Sequence, residues 1–124
     1  MIRCALIVAV TAAIAAAPAL AAAPKSKHLC GWVVNPTPAN WWLTDRSAEW
    51  IIDTQGGAQA VGDPPNFSHN KAYWVATQPN GYGYGCGCIT ATVDANTKQV
   101  LRIFKAQALK LQVCRKDKTL VEPK

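Results

Sequence analysis

The stretch Gly81-Tyr82-Gly83-Tyr84-Gly85-Cys86-Gly87-Cys88 sets glycine in strict alternation with tyrosine or cysteine. Because successive side chains of a β-strand point to opposite faces, its glycines share one face and its tyrosines and cysteines share the other. Glycine inside a strand often marks a place where something approaches the backbone closely. We therefore predict a strand whose glycine face carries either a flat aromatic ring of the core (Trp32, Trp41 or Trp50) or an open shelf for a ligand.

Four cysteines follow the N-terminal segment, at Cys30, Cys86, Cys88 and Cys114. A bond between Cys86 and Cys88 is disfavoured, because residues i and i+2 of an extended strand fit disulfide geometry poorly. Each of the two is instead expected to bond to Cys30 or to Cys114. The sequence leaves both disulfide pairings open, with a slight preference for Cys30–Cys88 and Cys86–Cys114. Either arrangement would attach both ends of a small domain to one strand.

Further β-like segments surround the glycine strand. Residues 82–93 and 99–106 flank a polar turn at 94–98, which predicts an antiparallel hairpin. Residues 108–113 are expected to add a last short strand. No internal repeat and no convincing amphipathic helix is present in the pattern.

A second hairpin is predicted from residues 41–44 and 49–53, although Asp45 could instead cap a short helix. Residues 72–77 form another strand-like run, and the turn at 78–81 follows it. The sequence therefore predicts a mainly β fold. It would be a small disulfide-stapled antiparallel domain, either a sandwich or a partly open barrel.

The N-terminus has the layout of a secretory signal peptide. A basic start at Arg3 precedes an alanine-rich apolar run, and Ala19-Leu20-Ala21 fits a cleavage signal of small residues. The run is too short to span a bilayer, so no transmembrane segment is expected. The predicted segments are a signal peptide at 1–21, a flexible lead-in at 22–29, one β domain at 30–114 and a charged tail at 115–124. We expect a periplasmic or secreted protein, since disulfides persist in such compartments.

The chain is basic, with 13 Lys and Arg against 7 Asp and Glu and a formal net charge of +6. The basic residues are concentrated from Lys98 onward. This basic third could meet an anionic partner, or it could simply be a solubilising surface. Nucleic acid is not expected as a partner.

No group of residues in the sequence predicts catalysis. The histidines are His28 and His69, and neither stands at the spacing of a zinc motif. Asp45, Glu49 and Asp53 could supply the two carboxylates that glycoside hydrolysis requires, but acids at these spacings are common on protein surfaces. We therefore predict no catalytic residue, no metal and no cofactor.

Residues 35–42 are the best candidate for a binding surface. Prolines stiffen this segment, which lowers the entropy lost on binding, and its asparagines offer amide donors and acceptors. Trp41 and Trp42 are neighbours in a predicted strand and must face opposite ways, so at least one should reach the surface. The alternative is that all five tryptophans build the core. The candidate binding residues are Asn35, Pro36, Pro38, Asn40, Trp41 and Trp42.

Several short motifs form one pattern along the chain: CGW at 30–32, NPTP at 35–38, NWWLTD at 40–45, Trp50, QGG at 55–57, GYGCGC at 83–88 and Cys114-Arg115. This pattern resembles a family of small exported bacterial proteins that is classed as a domain of unknown function. The resemblance implies a periplasmic or secreted bacterial protein. It assigns no catalytic residue, substrate or partner.

Two classes of function fit these observations. The first is a non-enzymatic exported binding protein of the bacterial envelope, such as an inhibitor, an immunity-type protein or an accessory factor. Its partner would be another envelope or secreted protein. The alternative is a small cell-wall glycan-binding module or cell-wall-active enzyme, with peptidoglycan as its partner and an acid from residues 45–53.

Overall fold

The computed structural model describes residues 10, 12–18, 25–68 and 70–124. His69 and most of the predicted signal peptide lie outside these residues. The elements are β1 (Ser26–Thr37), β2 (Asn40–Thr44), β3 (Glu49–Asp53), β4 (Trp74–Ala76), β5 (Gly83–Asp94), β6 (Gln99–Leu109) and α1 (Leu111–Lys116). Within the described ranges, no helix is long and apolar enough to cross a membrane. The prediction of a mainly β, disulfide-stapled fold is confirmed.

The strands form one mixed sheet of 6 strands in the order β1-β2-β3-β6-β5-β4, and β1 also pairs with β5. Every pairing is antiparallel except that of β3 with β6, which is parallel and rests on Ile51 opposite Gln99. The sheet therefore curls nearly into a ring with a weak seam, and it is not a closed barrel. The predicted antiparallel pairing holds for the other strand pairs, and the β3–β6 contact makes the sheet mixed. Without β4, the strand order and directions are those of an OB-type Greek-key sheet.

Strand alternation divides the buried side chains into two clusters. The inner cluster, enclosed by the curled sheet, comprises Leu29, Val33, Leu43, Trp50, Ile52, Phe67, Ile89, Ala91, Val93, Val100 and Ile103. The outer cluster lies on the opposite face of β1 and β5 and comprises Trp32, Tyr84, Cys86, Leu111 and Cys114. Strand β5 is thus buried on both faces over much of its length, which explains why its sequence carries so few polar residues.

The glycines of β5 are required by close packing. A Cβ atom on Gly83 would overlap the backbone carbonyl of Val75 in β4. A Cβ on Gly85 would come within 2.6 Å of the Phe67 ring. The close-packing interpretation is confirmed, but Phe67 and the backbone of β4 cover the glycines, and the tryptophans proposed from the sequence do not.

The disulfides are Cys30–Cys88 and Cys86–Cys114, with Cα–Cα distances of 4.1 and 5.7 Å. This is the favoured pairing, and Cys86 is not bonded to Cys88. Cys30 and Cys88 lie directly opposite each other in the β1–β5 register. The other bond attaches α1 to β5, so both ends of the domain are held on one strand.

The ends of the domain differ from the prediction. Strand β1 begins at Ser26 and Leu29 is 5% exposed, so residues 26–29 belong to the sheet and not to a flexible lead-in. The predicted strand at 108–113 is the end of β6 followed by α1. Leu111 and Cys114 are three residues apart, so one helical face buries both against the outer cluster. The predicted charged tail at 115–124 starts within α1.

Candidate binding site at the open end of the sheet

A cleft of about 390 Å³ opens at the end of the sheet where β1 ends and β2 begins. Asn35 and Trp41 contribute one wall, and the loop at 65–68, Trp74 and the turn at 80–82 contribute the others. We call this the mouth cleft. Its volume lies within the range of small-ligand sites in proteins, roughly 300–1,000 Å³.

Three aromatic rings that line the mouth cleft pack against one another. The indole N–H of Trp74 donates a hydrogen bond of 2.8 Å to the carbonyl oxygen of Gly81. The Trp74 ring lies 4.9 Å from the Phe67 ring and 6.3 Å from the Trp41 ring, measured between centroids. Phe67 is buried, whereas Trp41 and Trp74 are partly exposed. A ligand therefore meets two indole surfaces that packing already holds in place.

Asn35 brings a buried polar group to the same cleft. Its side chain is only 6% exposed. The Nδ2 atom donates to the carbonyl oxygens of Thr37 and Asn40, at 2.8 and 2.7 Å. Because both partners are acceptors, the amide orientation is fixed. Within the described part of the chain, Oδ1 accepts no hydrogen bond and is not among the buried unpartnered atoms, so it is an acceptor that water or a ligand can reach.

Residues 35–42 do not form one continuous surface. Strand alternation sends Trp41 into the mouth cleft and places Trp42 on the outer face, in a groove that Pro36 also lines. The amide of Asn40 is used within the fold, since it donates to the Thr37 hydroxyl at 2.6 Å and accepts from the Gln55 backbone at 2.9 Å. Pro38 is exposed in the β1–β2 turn. Of the six predicted binding residues, Asn35 and Trp41 are brought together.

The residues of the opposite wall of the cleft are not among the binding residues predicted from the sequence. Phe67 and Trp74, with Asn66, Asn80 and Tyr82, complete the lining. In the sequence, Trp74 is one of five tryptophans and Asn80 lies in the predicted turn at 78–81, so neither is marked as a binding residue. Nothing in the sequence indicated that these residues would lie beside Trp41, because the curl of the sheet brings them there.

Two acids of the β2–β3 hairpin, Asp45 and Asp53, are engaged in local hydrogen bonds. Burial by itself would raise the pKa of Asp45, but hydrogen bonds from Ser47, Ala48 and the Trp50 indole outweigh it and hold that pKa below its ordinary value. Asp53 lies at the other end of β3, and burial raises its pKa. Both carboxylates accept backbone N–H groups of nearby loops. Their geometry is that of loop-stabilising groups.

A second group of possible ligand atoms lies at the Cys30–Cys88 disulfide, of which Cys30 is exposed and Cys88 is buried. The His28 Nε2 atom lies 3.3 Å from the Sγ atom of Cys30. Together with Cys88 these residues place possible ligand atoms within 4.8 Å of one another. Both sulfur atoms, however, belong to the Cys30–Cys88 bond. The imidazole is therefore the one group in this cluster outside the disulfide, and its Nδ1 atom lies 3.2 Å from the Thr90 hydroxyl.

Comparison with known proteins identifies the family. Residues 24–121 match the family described as protein of unknown function (DUF4087), and the chain belongs to it. The prediction that the chain belongs to a domain-of-unknown-function family is thereby confirmed. No curated protein and no solved structure matches the chain.

Proposed function

The chain belongs to the DUF4087 family, and we propose that it is a non-enzymatic exported binding protein of the bacterial envelope. It holds its ligand in the mouth cleft. The observation that carries this proposal is the unfilled acceptor of Asn35 beside the Trp41 and Trp74 rings. A ligand that covers this acceptor displaces water and must supply a donor in its place, which makes binding specific.

Two features support export. The N-terminal sequence has the layout of a signal peptide, and the domain carries two disulfides. Disulfides form and persist in oxidising compartments such as the bacterial periplasm. The partner is accordingly another envelope or secreted protein, or the peptidoglycan of the cell wall.

The absence of a catalytic role is supported by what the candidate groups already do. Asp45 receives hydrogen bonds from two backbone N–H groups and the Trp50 indole. The four cysteines of the described domain are joined in disulfides. The described lining of the mouth cleft consists of aromatic, amide, proline, serine and glycine residues, which recognise ligands through shape and hydrogen bonds.

The test is retention of a partner from periplasmic extract and on purified peptidoglycan. Trp41→Leu alters the cleft, and Trp42→Leu is a matched control on the opposite face. We expect Trp41→Leu to keep its fold, as judged by circular dichroism, and to lose its partner, whereas Trp42→Leu keeps it. Substrate turnover that is abolished by Asp45→Asn or Glu49→Gln would contradict the proposal and make the protein an enzyme.

A further inference from the structure

We propose that the mouth cleft binds a neutral saccharide. A pyranose ring packs against the indole surfaces of Trp41 and Trp74, and one of its hydroxyl groups donates to Oδ1 of Asn35. This inference rests on the proposed binding function and names the chemical class of the ligand.

The charge of the cleft differs from the charge of the molecule. The whole chain has a formal net charge of +6, yet the described residues that line the cleft include no lysine, arginine, aspartate or glutamate. An ionic ligand entering this site would lose hydration without gaining a counter-charge. The site therefore selects a ligand that is polar but uncharged.

The shape and chemistry of the lining match a sugar. One face of a pyranose is made of C–H groups and packs against an indole, while its edge carries hydroxyl groups that both donate and accept hydrogen bonds. Trp41 and Trp74 supply the aromatic surface, with centroids 6.3 Å apart. Asn35 supplies an acceptor that is unpaired within the described chain, and Asn80 places an exposed amide at the rim.

A proline-rich peptide is the principal competing ligand, because aromatic grooves also recognise polyproline helices. The position of Asn35 argues against it. A ligand that covers its Oδ1 must replace water with a donor, and a proline residue has no backbone N–H to offer. A saccharide presents a hydroxyl donor at nearly every ring position, so this acceptor favours the sugar.

The experiment is a titration followed by NMR of the Trp41 and Trp74 indole N–H signals. The probes are cellotetraose and tetra-N-acetylglucosamine, with tetragalacturonate as an anionic comparison and decaproline as the competing peptide. We expect saturable shifts with at least one neutral oligosaccharide. The apparent affinity should change less than about twofold between low and high salt, because no charges are paired.

Matched variants locate the site. Asn80→Ala should weaken binding several-fold, whereas Asn96→Ala, in the exposed turn at the opposite end of the sheet, should leave it unchanged. Trp41→Leu should weaken binding about tenfold or more, and Trp42→Leu should not. Equal losses in both tryptophan variants, or binding of tetragalacturonate or decaproline without any neutral sugar, would overturn the inference.

The two proposals fail in different ways. If no neutral oligosaccharide binds but Trp41→Leu loses a protein partner from periplasmic extract, the binding function stands and the saccharide inference is wrong. If a neutral oligosaccharide binds and mass spectrometry then finds it cleaved, the saccharide inference stands and the non-enzymatic function is wrong.

Discussion

At the scale of single residues, Asp45 ties the β2–β3 turn to the inner cluster. Its Oδ1 atom accepts N–H groups of Ser47 and Ala48 at 2.8 Å, and its Oδ2 atom accepts the Trp50 indole at 3.1 Å. We expect Asp45→Asn to lower the free energy of unfolding at neutral pH by about 1–2 kcal/mol. The exposed part of the carboxylate is screened by water, which keeps the cost toward the lower end of that range.

The pH dependence of this effect has a definite sign. The pKa of Asp45 in the folded protein lies below its ordinary value of 3.8, so folding favours the ionised form. The stabilisation is therefore present above that value and is lost as the pH falls through the lower folded pKa. Urea unfolding at pH 7 and in acid should show the difference between Asp45→Asn and wild type shrinking in acid. A difference that stays constant with pH would contradict this account, and Glu49→Gln serves as the exposed control.

The roles of individual binding residues were only partly predictable. The sequence requires Trp41 and Trp42 to face opposite ways, because they are adjacent in a strand. It does not say which of them faces the inside, since that depends on the direction in which the sheet curls. Asn35 and Asn40 look equivalent in the sequence, yet one holds a free acceptor in a cleft and the other is used up in fixing a turn.

At the scale of elements, Gly83 determines how closely β4 approaches β5. A Cβ there would overlap the carbonyl oxygen of Val75, and a backbone atom cannot move aside without moving the strand. We expect Gly83→Ala to cost about 2–3 kcal/mol or more in the free energy of unfolding, measured in urea. The control is Gly57→Ala in an exposed loop, where the new Cβ would meet the Thr54 side chain at 3.3 Å. Equal effects of the two substitutions would show that β4 is not tightly packed.

Local patterns predicted the hairpins, whereas contacts distant in sequence decided the remaining elements. The β2–β3 and β5–β6 hairpins each follow from apolar runs around a short polar turn, and both are present. The parallel meeting of β3 with β6 joins residues 51 and 99, and no local signal encodes it. Helix α1 was missed because its pattern is only a few residues long. It is stabilised by burial of Leu111 and by the Cys114 disulfide.

At the scale of the whole molecule, the two disulfides should differ in importance. Chain entropy alone favours the bond with the longer loop. The separations of 58 and 28 residues correspond to about 4.2 and 3.6 kcal/mol, a difference of only about 0.6 kcal/mol.

The burial of the cysteines favours the other disulfide, Cys86–Cys114, as the more stabilising one. Cys86 and Cys114 are 1% and 3% exposed, whereas in the other bond Cys88 is 8% exposed and Cys30 is exposed to solvent. Removing two buried sulfur atoms beneath α1 should cost about 1–2 kcal/mol in lost packing, which exceeds the entropic difference. We therefore expect the double variant Cys86→Ala, Cys114→Ala to unfold at lower urea concentration than the double variant Cys30→Ala, Cys88→Ala. The reverse order would mean that loop entropy dominates.

The contribution of the outer face to stability should also be separable by experiment from the geometry of the mouth cleft. The C-terminal segment covers the outer face, where Leu120 packs against the outer cluster and the Tyr84 hydroxyl donates to Glu122 at 3.0 Å. The mouth cleft is lined by inner-face residues and by loops, with no residue of this segment among them. Truncation after Lys118 should therefore destabilise the protein without altering the cleft.

We expect this truncation to lower Tm by about 5–10 °C, equivalent to about 1–2 kcal/mol of lost burial. Glu122→Gln should cost less than about 1 kcal/mol, because its ion pair with Arg115 is half-exposed. The Trp74 indole N–H resonance reports on the cleft through its hydrogen bond to Gly81, and it should stay at its wild-type position in both variants. A shifted resonance in a truncated chain that remains folded would mean that the outer face controls the ligand site. In that case the Cys86–Cys114 disulfide, α1 and the C-terminal segment would influence ligand binding, and a purely structural role for them would be ruled out.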